Sequence, residues 1–447
     1  MSRTSPTEPP AAAASGAAPS APQAAAAPAA AAGEKRADDG RAGRRTMAAI
    51  PRRFRNILSL ADFEDAARRR LPRPLFAYVS GGVEENRSIR TAATAYDDYV
   101  FSPRVCAGVA GASAATTLMG QDWAAPFGIA PMGICAMNGY RADIAMARAA
   151  KAAGIPMIIS GSSLIPLEQI MRAYPEAWFQ AYVPPDAARL AALLDRARTT
   201  GVQTLVITVD SPVGSNRENN LRAGFSSPLR PSLRLALDGL VRPRWLLGTF
   251  LPTLWRHGIP HFENLYAERG VPIIARHVQR EFGGRAHFNW DDFARIRDLW
   301  KGRLVIKGIL HPGDAVRAVG IGADAVVISN HGGRQLDGTL APLHVLPHIR
   351  AALPDTPLIL DGAIRRGTQV VKALALGADF VLVGRPFNYA AAVAEQAGVA
   401  WAIGILQGEV TRTLAQVGVR RPSEVASAHV LPRGPIPSDT FNPKEAP

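Results

Sequence analysis

Eight short apolar runs punctuate the chain after residue 120, and each is followed by a stretch rich in Ala, Leu and Arg. The runs are FGIAPMG (127–133), PMIISG (156–161), WFQAYV (178–183), TLVITVD (204–210), RLVIKGIL (303–310), AVVISNHG (325–332), PLILDGA (357–363) and FVLVGR (380–385). Their hydrophobicity is continuous rather than alternating, which marks strands buried on both faces in a parallel sheet with helical crossovers. Eight such units predict a closed (β/α)8 barrel of the TIM type rather than an open doubly wound sheet. The stretches between them agree. RADIAMARAAKAAG (141–154) and RRGTQVVKALALGA (365–378) carry apolar residues at i, i+3, i+4 spacing and reach glycine near their ends. No GxGxxG follows the first run, which weighs against a dinucleotide-binding fold.

One interval breaks the rhythm. Residues 211–302 form an insertion after the fourth strand, several times longer than the other connections and too long for an ordinary loop, so a functional or mobile segment is expected there. Residues 1–46 are mostly Ala, Pro, Ser and Gly, a composition that cannot bury enough apolar area to offset its ordering entropy, and are read as a disordered tail. A secretory leader fits them poorly, because the arginines follow the alanine tract and that tract lacks Leu, Ile and Val. The barrel is expected over 47–430, with 431–447 as a C-terminal tail. Two cysteines, Cys106 and Cys135, with no CxxC and no His/Cys cluster, argue against a disulfide framework or a structural zinc and suit a reducing cytoplasm. No run of apolar residues reaches the ~18–20 that cross a bilayer, so no membrane span is expected. The net charge of +14 raises nucleic acid as a partner. The arginines are spread over helices, tail and insertion without a recognised binding motif, so no nucleic acid is expected.

Side chains at the C-terminal strand ends of such a barrel face the active site, while the rest of each strand packs core. Here the first run ends in Pro131-Met132-Gly133 and the second in Ser160-Gly161; the third carries Gln180 and Tyr182, the fourth Thr208 and Asp210. The fifth holds Lys307, the sixth ends Ser329-Asn330-His331, the seventh Asp361-Gly362 and the eighth Gly384-Arg385. A single buried lysine or histidine is more often a satisfied structural residue. Polar residues recurring at the same end of strand after strand favour a site. Asp361-Gly362 with Arg365, then Gly384-Arg385, supply backbone amides, helix N-termini and guanidinium groups after strands 7 and 8, where these barrels commonly bind phosphate. Alone, such Gly/Arg pairs would be plain turns.

From about residue 55 to 430 the chain resembles the FMN-dependent L-2-hydroxy acid dehydrogenases and oxidases, a family that includes bacterial membrane-associated L-lactate and mandelate dehydrogenases and glycolate oxidase. SNHGGRQLDG (329–338) is the signature, supported by LPRPLFAYVSGG (71–82), IAPMG and TVDSPVGSNR. The resemblance implies FMN as cofactor, with Pro131, Met132 and Gly133 as a backbone strip along the flavin and Ser160, Gln180 and Thr208 at its ring edge or ribityl chain. Lys307 falls beside flavin N1 and O2, Ser329 near the same ring, and Asp361, Gly362, Arg365, Gly384 and Arg385 around the phosphate. His331 matches the catalytic base and Asp210 its carboxylate partner. Tyr182 matches the tyrosine near the substrate hydroxyl, and Tyr78, Arg217 and Arg334 the groups that hold the substrate carboxylate. The chemistry needs these types. A carboxylate is best held by arginine forks, a base near neutral pKa must take a proton, and an adjacent carboxylate stabilises the imidazolium that forms.

Two positions depart from the family's pattern. Ala363 stands where a second glycine usually follows Asp361-Gly362, and Ser162 stands where glycolate oxidase carries a bulky tryptophan, implying a roomier or more polar substrate pocket. The resemblance implies oxidation of a lactate-like L-2-hydroxy acid with electrons passed to quinone or another carrier, and as the alternative an oxidase releasing hydrogen peroxide. Gly133, where resembling oxidases tend to carry alanine, favours the dehydrogenase. An isomerase or a binding protein on the same barrel fits poorly with Tyr78, Tyr182, Asp210, Arg217, Lys307, His331 and Arg334 all present. A tetramer is the common assembly among such relatives.

Within the insertion, residues 222–256 hold Arg222, Arg230, Arg234, Arg242, Arg244 and Arg256 against a single acid, Asp238, interleaved with Trp245, Leu246, Leu247, Phe250, Leu251, Leu254 and Trp255. That mixture suits an anionic membrane interface, here the inner face of the cell membrane, and the resembling membrane dehydrogenases carry their membrane segment at this point. A lid over the barrel mouth is the plainer reading.

Overall fold

The computed structural model describes residues 51–274 and 285–435, so the reading of 1–46 as a tail lies outside the described residues. All eight runs are strands: β1 (Phe127–Ile129), β2 (Ile158–Ser160), β3 (Trp178–Ala181), β4 (Thr204–Thr208), β5 (Arg303–Ile309), β6 (Ala325–Ser329), β7 (Leu358–Asp361) and β8 (Phe380–Val383). Every residue of β1, β2, β3, β4, β6 and β8 is buried, as continuous apolar patterning requires of strands covered on both faces. Each strand pairs in parallel with its sequence neighbours, β8 returns to β1, and a bridge from Ile129 to Met157 brings β1 against the entry to β2. The result is the eight-stranded barrel.

Register sets the polar residues level. Ser160 pairs across from Gln180, Thr208 from Lys307 and Ser329 from Asp361, so the C-terminal strand ends form a polar layer on top of an apolar barrel. One glycine is essential to that layer. The β5–β6 register slips between Lys307 and Ile309, and Gly308 sits there at φ +107, where a Cβ would lie 2.5 Å from Cγ of Asp210. Only a residue without a side chain lets Asp210 close over the strand end.

Helices follow the strands as the periodicity predicts. Ala142–Ala153 ends at Gly154 with φ 64, and Ala187–Thr199 starts at Asp186, whose carboxylate accepts from the amide of Arg189. The last helical segment, Arg385–Val417, has the length and apolar content of a membrane span, which the sequence expectation did not foresee, but it is two helices across a kink where Ala394 and Glu395 leave helical φ/ψ. Its apolar residues are instead largely barrel packing, with Phe387, Ala390, Val399, Ala402, Leu406 and Leu414 fully buried. At the C-terminus the expected tail begins too early. Val430–Pro432 is a strand paired antiparallel with Tyr99–Phe101, so 430–432 belongs to the folded unit.

The insertion is not a plain loop. It forms helices Glu218–Ala223, Leu233–Leu240 and Pro243–Trp245, a π-helical turn Leu246–Phe250 and helix Leu251–His257. Buried Trp245 anchors the last group, its indole Nε1 donating to the carbonyl of Met137 at 2.7 Å. The opposite side remains in water: Leu233 is 78% exposed, Leu247 66% and Trp255 87%.

Candidate active site

A cavity of about 450 Å³ opens at the C-terminal strand ends, and nearly all of the candidate residues line it. His331 lines it with Asp210 standing behind the imidazole; Asp210 and Ser329 are the two candidates that do not themselves line the cavity. His331 follows β6 with φ 56, a left-handed conformation that turns the chain sharply into Gly332 and Gly333, both also at positive φ. Its Nδ1 lies 2.8 Å from Oδ1 of Asp210, which leaves Nε2 as the nitrogen for proton transfer. Burial lowers the imidazole below its ordinary pKa, with Lys307 and Arg217 adding to that and Asp210 opposing it. Burial pushes the Asp210 carboxyl upward, but His331 and Lys307 outweigh it and hold the group below its ordinary value. The pair is therefore a neutral imidazole oriented by an ionised carboxylate, the arrangement of a general base.

Beside it runs a second polar chain. Lys307 donates from Nζ to Ser329 Oγ at 2.9 Å and pairs with Asp361 at 2.7 Å, while Ser329 Oγ donates to Asp361 at 2.8 Å and accepts the amide of His331 at 3.0 Å. Burial works against the ammonium, yet Asp361 and Asp210 raise its pKa, so a fixed cation sits in the floor of the cavity.

Two arginines converge on the mouth. Arg334 donates from Nη1 to the carbonyls of Tyr78 and Gly81 at 2.5 and 2.8 Å, and its guanidinium stands 4.7 Å from the Tyr78 ring centroid. Its buried Nη2 has no partner. Arg217 holds the carbonyl of Arg334 and Oε1 of Gln335, each at 3.2 Å. Burial, with Arg217 next in weight, pushes Arg334 down to about 9, a crowding of cations that an incoming carboxylate relieves. Tyr78 is set by stacking on Phe225, 4.4 Å between centroids.

The remaining residues fit FMN. Gln180 accepts from Ser160 Oγ and the amide of Gly161 while its buried Nε2 stays unpartnered, a donor aimed at a ligand acceptor. Pro131, Met132 and Gly133 line one wall with Thr208. A Cβ on Gly133 would stand 2.7 Å from Cβ of Ser162, so the strip admits no side chain there without movement. Arg385 is held by the carbonyls of Val79, Gly81 and Gly332, and Arg365 reaches the same cavity. The helix N-terminus at Arg385 lines the cavity beside them, as a phosphate site uses, whereas the first amide of the helix Gly367–Ala375 donates instead to Oε2 of Glu409 at 2.7 Å. Ala363 takes φ 56 after Gly362, so this chain turns the loop through an alanine where the family pattern has glycine.

Several lining residues escaped the sequence reading. Gln335, within SNHGGRQLDG, bonds Ser211 Oγ and accepts from Arg217. Phe225 supports Tyr78, and Arg285, at the end of the insertion, places its guanidinium 3.8 Å from the Tyr182 ring centroid. Gln335 lies inside the signature, where its contact with Arg217 could have been sought; no periodicity marks Arg285.

The barrel, its level polar ends and this cavity define a flavin-dependent oxidoreductase. Residues 67–432 match the family model described as FMN-dependent dehydrogenase. The chain is 37% identical over 379 residues to L-lactate dehydrogenase of Pectobacterium atrosepticum, covering 83% of this chain and 96% of the relative. Among solved structures it resembles the monotopic membrane protein (S)-mandelate dehydrogenase, with a TM-score of 0.76, 32% identity and coverage of 85% of this chain and 100% of that one. It also resembles a mandelate oxidase bound to benzoyl-formic acid, with a TM-score of 0.68, 31% identity and coverage of 82% and 97%. The chain belongs to the FMN-dependent 2-hydroxy acid dehydrogenase family and is an oxidoreductase of that class.

Proposed function

We propose that the protein oxidises an L-2-hydroxy acid to the 2-oxo acid and passes the electrons to a quinone or another carrier at a membrane surface. The observation that carries the reading is the His331–Asp210 pair, facing the same cavity as the Arg217–Arg334 cluster. Arg217, Arg334 and the Tyr78 hydroxyl hold the substrate carboxylate, and Tyr182 lies by the hydroxyl. Nε2 of His331 takes a proton from the substrate, and Asp210 stabilises the imidazolium. FMN, when bound, would supply the two-electron acceptor; Ser160, Gln180, Thr208, Pro131, Met132 and Gly133 would hold it, and Lys307 would give the fixed positive charge beside it. Asp361, Gly362, Arg365, Gly384 and Arg385 would hold its phosphate end, Asp361 also pairing directly with Lys307 and accepting from Ser329.

The membrane reading rests on the insertion. Exposed Leu233, Leu237, Leu240, Leu247, Leu251 and Trp255 share these helical turns with exposed Arg234, Arg244 and Arg256, with exposed Arg230 just before them, the pattern of an interfacial segment beside anionic headgroups. A tetramer at the inner face of the cell membrane completes the reading. The oxidase alternative is favoured by the likeness to mandelate oxidase, and Gly133 argues against it. Anaerobic mixing of the FMN-loaded protein with L-lactate, mandelate, glycolate and longer hydroxy acids tests the reaction. Bleaching of the flavin absorbance by at least one is expected, and none would refute it. Aerobic turnover yielding stoichiometric peroxide as fast as turnover with a quinone analogue would establish the oxidase instead.

A further inference from the structure

The charges lining the cavity do not balance for a monocarboxylate. Arg217, Arg285, Lys307, Arg334, Arg365 and Arg385 all reach it. Lys307 is paired with Asp361, and Asp210 is taken by His331. Under the proposed function, Arg365 and Arg385 meet the phosphate of FMN, and Arg217 and Arg334 the carboxylate beside the reacting carbon. Arg285 is left over. It makes no ion pair and no hydrogen bond from its side chain among the described residues, and its contact is the face of Tyr182 at 3.8 Å. Burial lowers its pKa, and the weaker influences of Tyr182, Tyr266 and Asp210 only oppose this, so the guanidinium is partly stripped of water with no anion in contact among the described residues. Stacking on an aromatic face fixes the plane of the fork while leaving its edge donors directed outward, a geometry suited to a carboxylate.

The surrounding wall is polar as well. Ser162, Ser211, Ser226 and Ser227 line the same cavity, and Ser227 Oγ is buried without a partner. A methyl or phenyl substituent would leave Ser227 Oγ and the Arg285 cation unsatisfied. The geometry points to a short 2-hydroxydicarboxylate as the substrate class, its distal carboxylate held by Arg285. This rests on the proposed hydroxy-acid oxidation and leaves its chemistry intact. The substrate's CH–OH becomes C=O, with two electrons and one proton passing to FMN and the other proton to His331, and the distal carboxylate is unchanged. Tyr182, stacked beneath Arg285, then reads both ends of the substrate.

The test uses the FMN-loaded full chain with an artificial dye acceptor and four substrates: L-malate, L-2-hydroxyglutarate, L-lactate and L-2-hydroxybutyrate. The wild-type protein should prefer a dicarboxylate. In Arg285→Met the ratio of kcat/KM for that dicarboxylate to kcat/KM for L-lactate should fall about 10–100-fold, the range for one charge-assisted hydrogen-bonded contact, mainly through KM. Arg285→Lys should restore part of the ratio. Calorimetric titration with the matching 2-oxo dicarboxylate gives a readout apart from turnover and should show a comparable loss of affinity in Arg285→Met. An unchanged ratio would mean that Arg285 only packs on Tyr182, and would overturn the inference. A wild-type preference for monocarboxylates would overturn it too while leaving the hydroxy-acid reading intact; oxidation of none of the four, nor of any other hydroxy acid, would remove both.

Discussion

The barrel strand ends and the insertion between β4 and β5 build one cavity by opposite means. At the strand ends the paired polar side chains are fixed by register, Thr208 level with Lys307 and Ser329 with Asp361, because the ladder spacing admits no other arrangement. In the insertion, position depends on isolated anchors such as the Trp245 bond to Met137 and the stacking of Phe225 on Tyr78 and of Arg285 on Tyr182. The comparison teaches a division of labour. Most groups that match the family's chemistry sit on the ladder and the turns after it, Arg217 on the insertion excepted, while the groups proposed to set this chain's substrate and location sit on the segment that can vary without disturbing the barrel.

The largest effect that sharpens this division belongs to the ladder. His331→Gln removes the base while leaving the cradle of Gln180, Lys307 and Arg385 in place, so FMN should remain bound and its reduction should slow by about 10²–10⁴-fold. Rapid-mixing absorbance measurements check both halves of the statement. Near-normal reduction would show that the His331–Asp210 pair is structural.

How much of this was legible in the sequence follows the same line. The eight strands were readable because a strand buried on both faces must be apolar throughout, and the level of the polar ends follows once the runs are aligned as a barrel. The pairing of His331 with Asp210 came from the family signature, since positive φ at a histidine is not written in any local pattern. Helix Leu233–Leu240 carried a usable signal in Ser232, which caps it, and in leucines at 233, 237 and 240. Arg285 carried none: its approach to Tyr182 depends on the return path of the insertion, which neither periodicity nor turn chemistry specifies.

A smaller loss is expected at the carboxylate grip. Arg334→Lys keeps the charge but cannot donate to Tyr78 and Gly81 while presenting a planar fork, and should lower kcat/KM for the hydroxy acid by about 10–100-fold. Steady-state kinetics with a dye acceptor measure it, and an unchanged value would remove Arg334 from substrate binding.

The pH dependence tests whether the ladder tunes its base. Because burial depresses the His331 imidazole, kcat/KM should hold as pH falls past the ordinary imidazole value of about 6.5 and decline only below it, when the ring protonates. Asp210→Asn removes the influence that raises this pKa, so its acid limb should move still lower while its plateau falls. The linked stability has the same sign: between the depressed folded pKa and the unfolded one the unfolded chain binds more protons, so this group's contribution is lost on acidification. An acid limb above 6.5 would show Asp210 outweighing burial.

The smallest effect on turnover is expected where the exposed apolar face is changed, and it breaks the comparison if the insertion is only a lid. A linker in place of 222–256 would be a poor test, because it would remove Phe225 from Tyr78 and Ser226 and Ser227 from the cavity wall. Substituting Leu233, Leu237, Leu247, Leu251 and Trp255 by Gln leaves those contacts alone, since all five side chains point into water. Full burial of one such side chain is worth about 1.5–3 kcal/mol. Even partial insertion of five should therefore shift partitioning onto vesicles containing anionic lipid by more than about tenfold. Dye-linked turnover should stay within about threefold, because the substitutions lie outside both the ladder and the cavity. Sedimentation with vesicles separates the outcomes: loss of binding with turnover retained places the insertion at a membrane, whereas unchanged sedimentation with a raised KM makes it a lid over the barrel mouth.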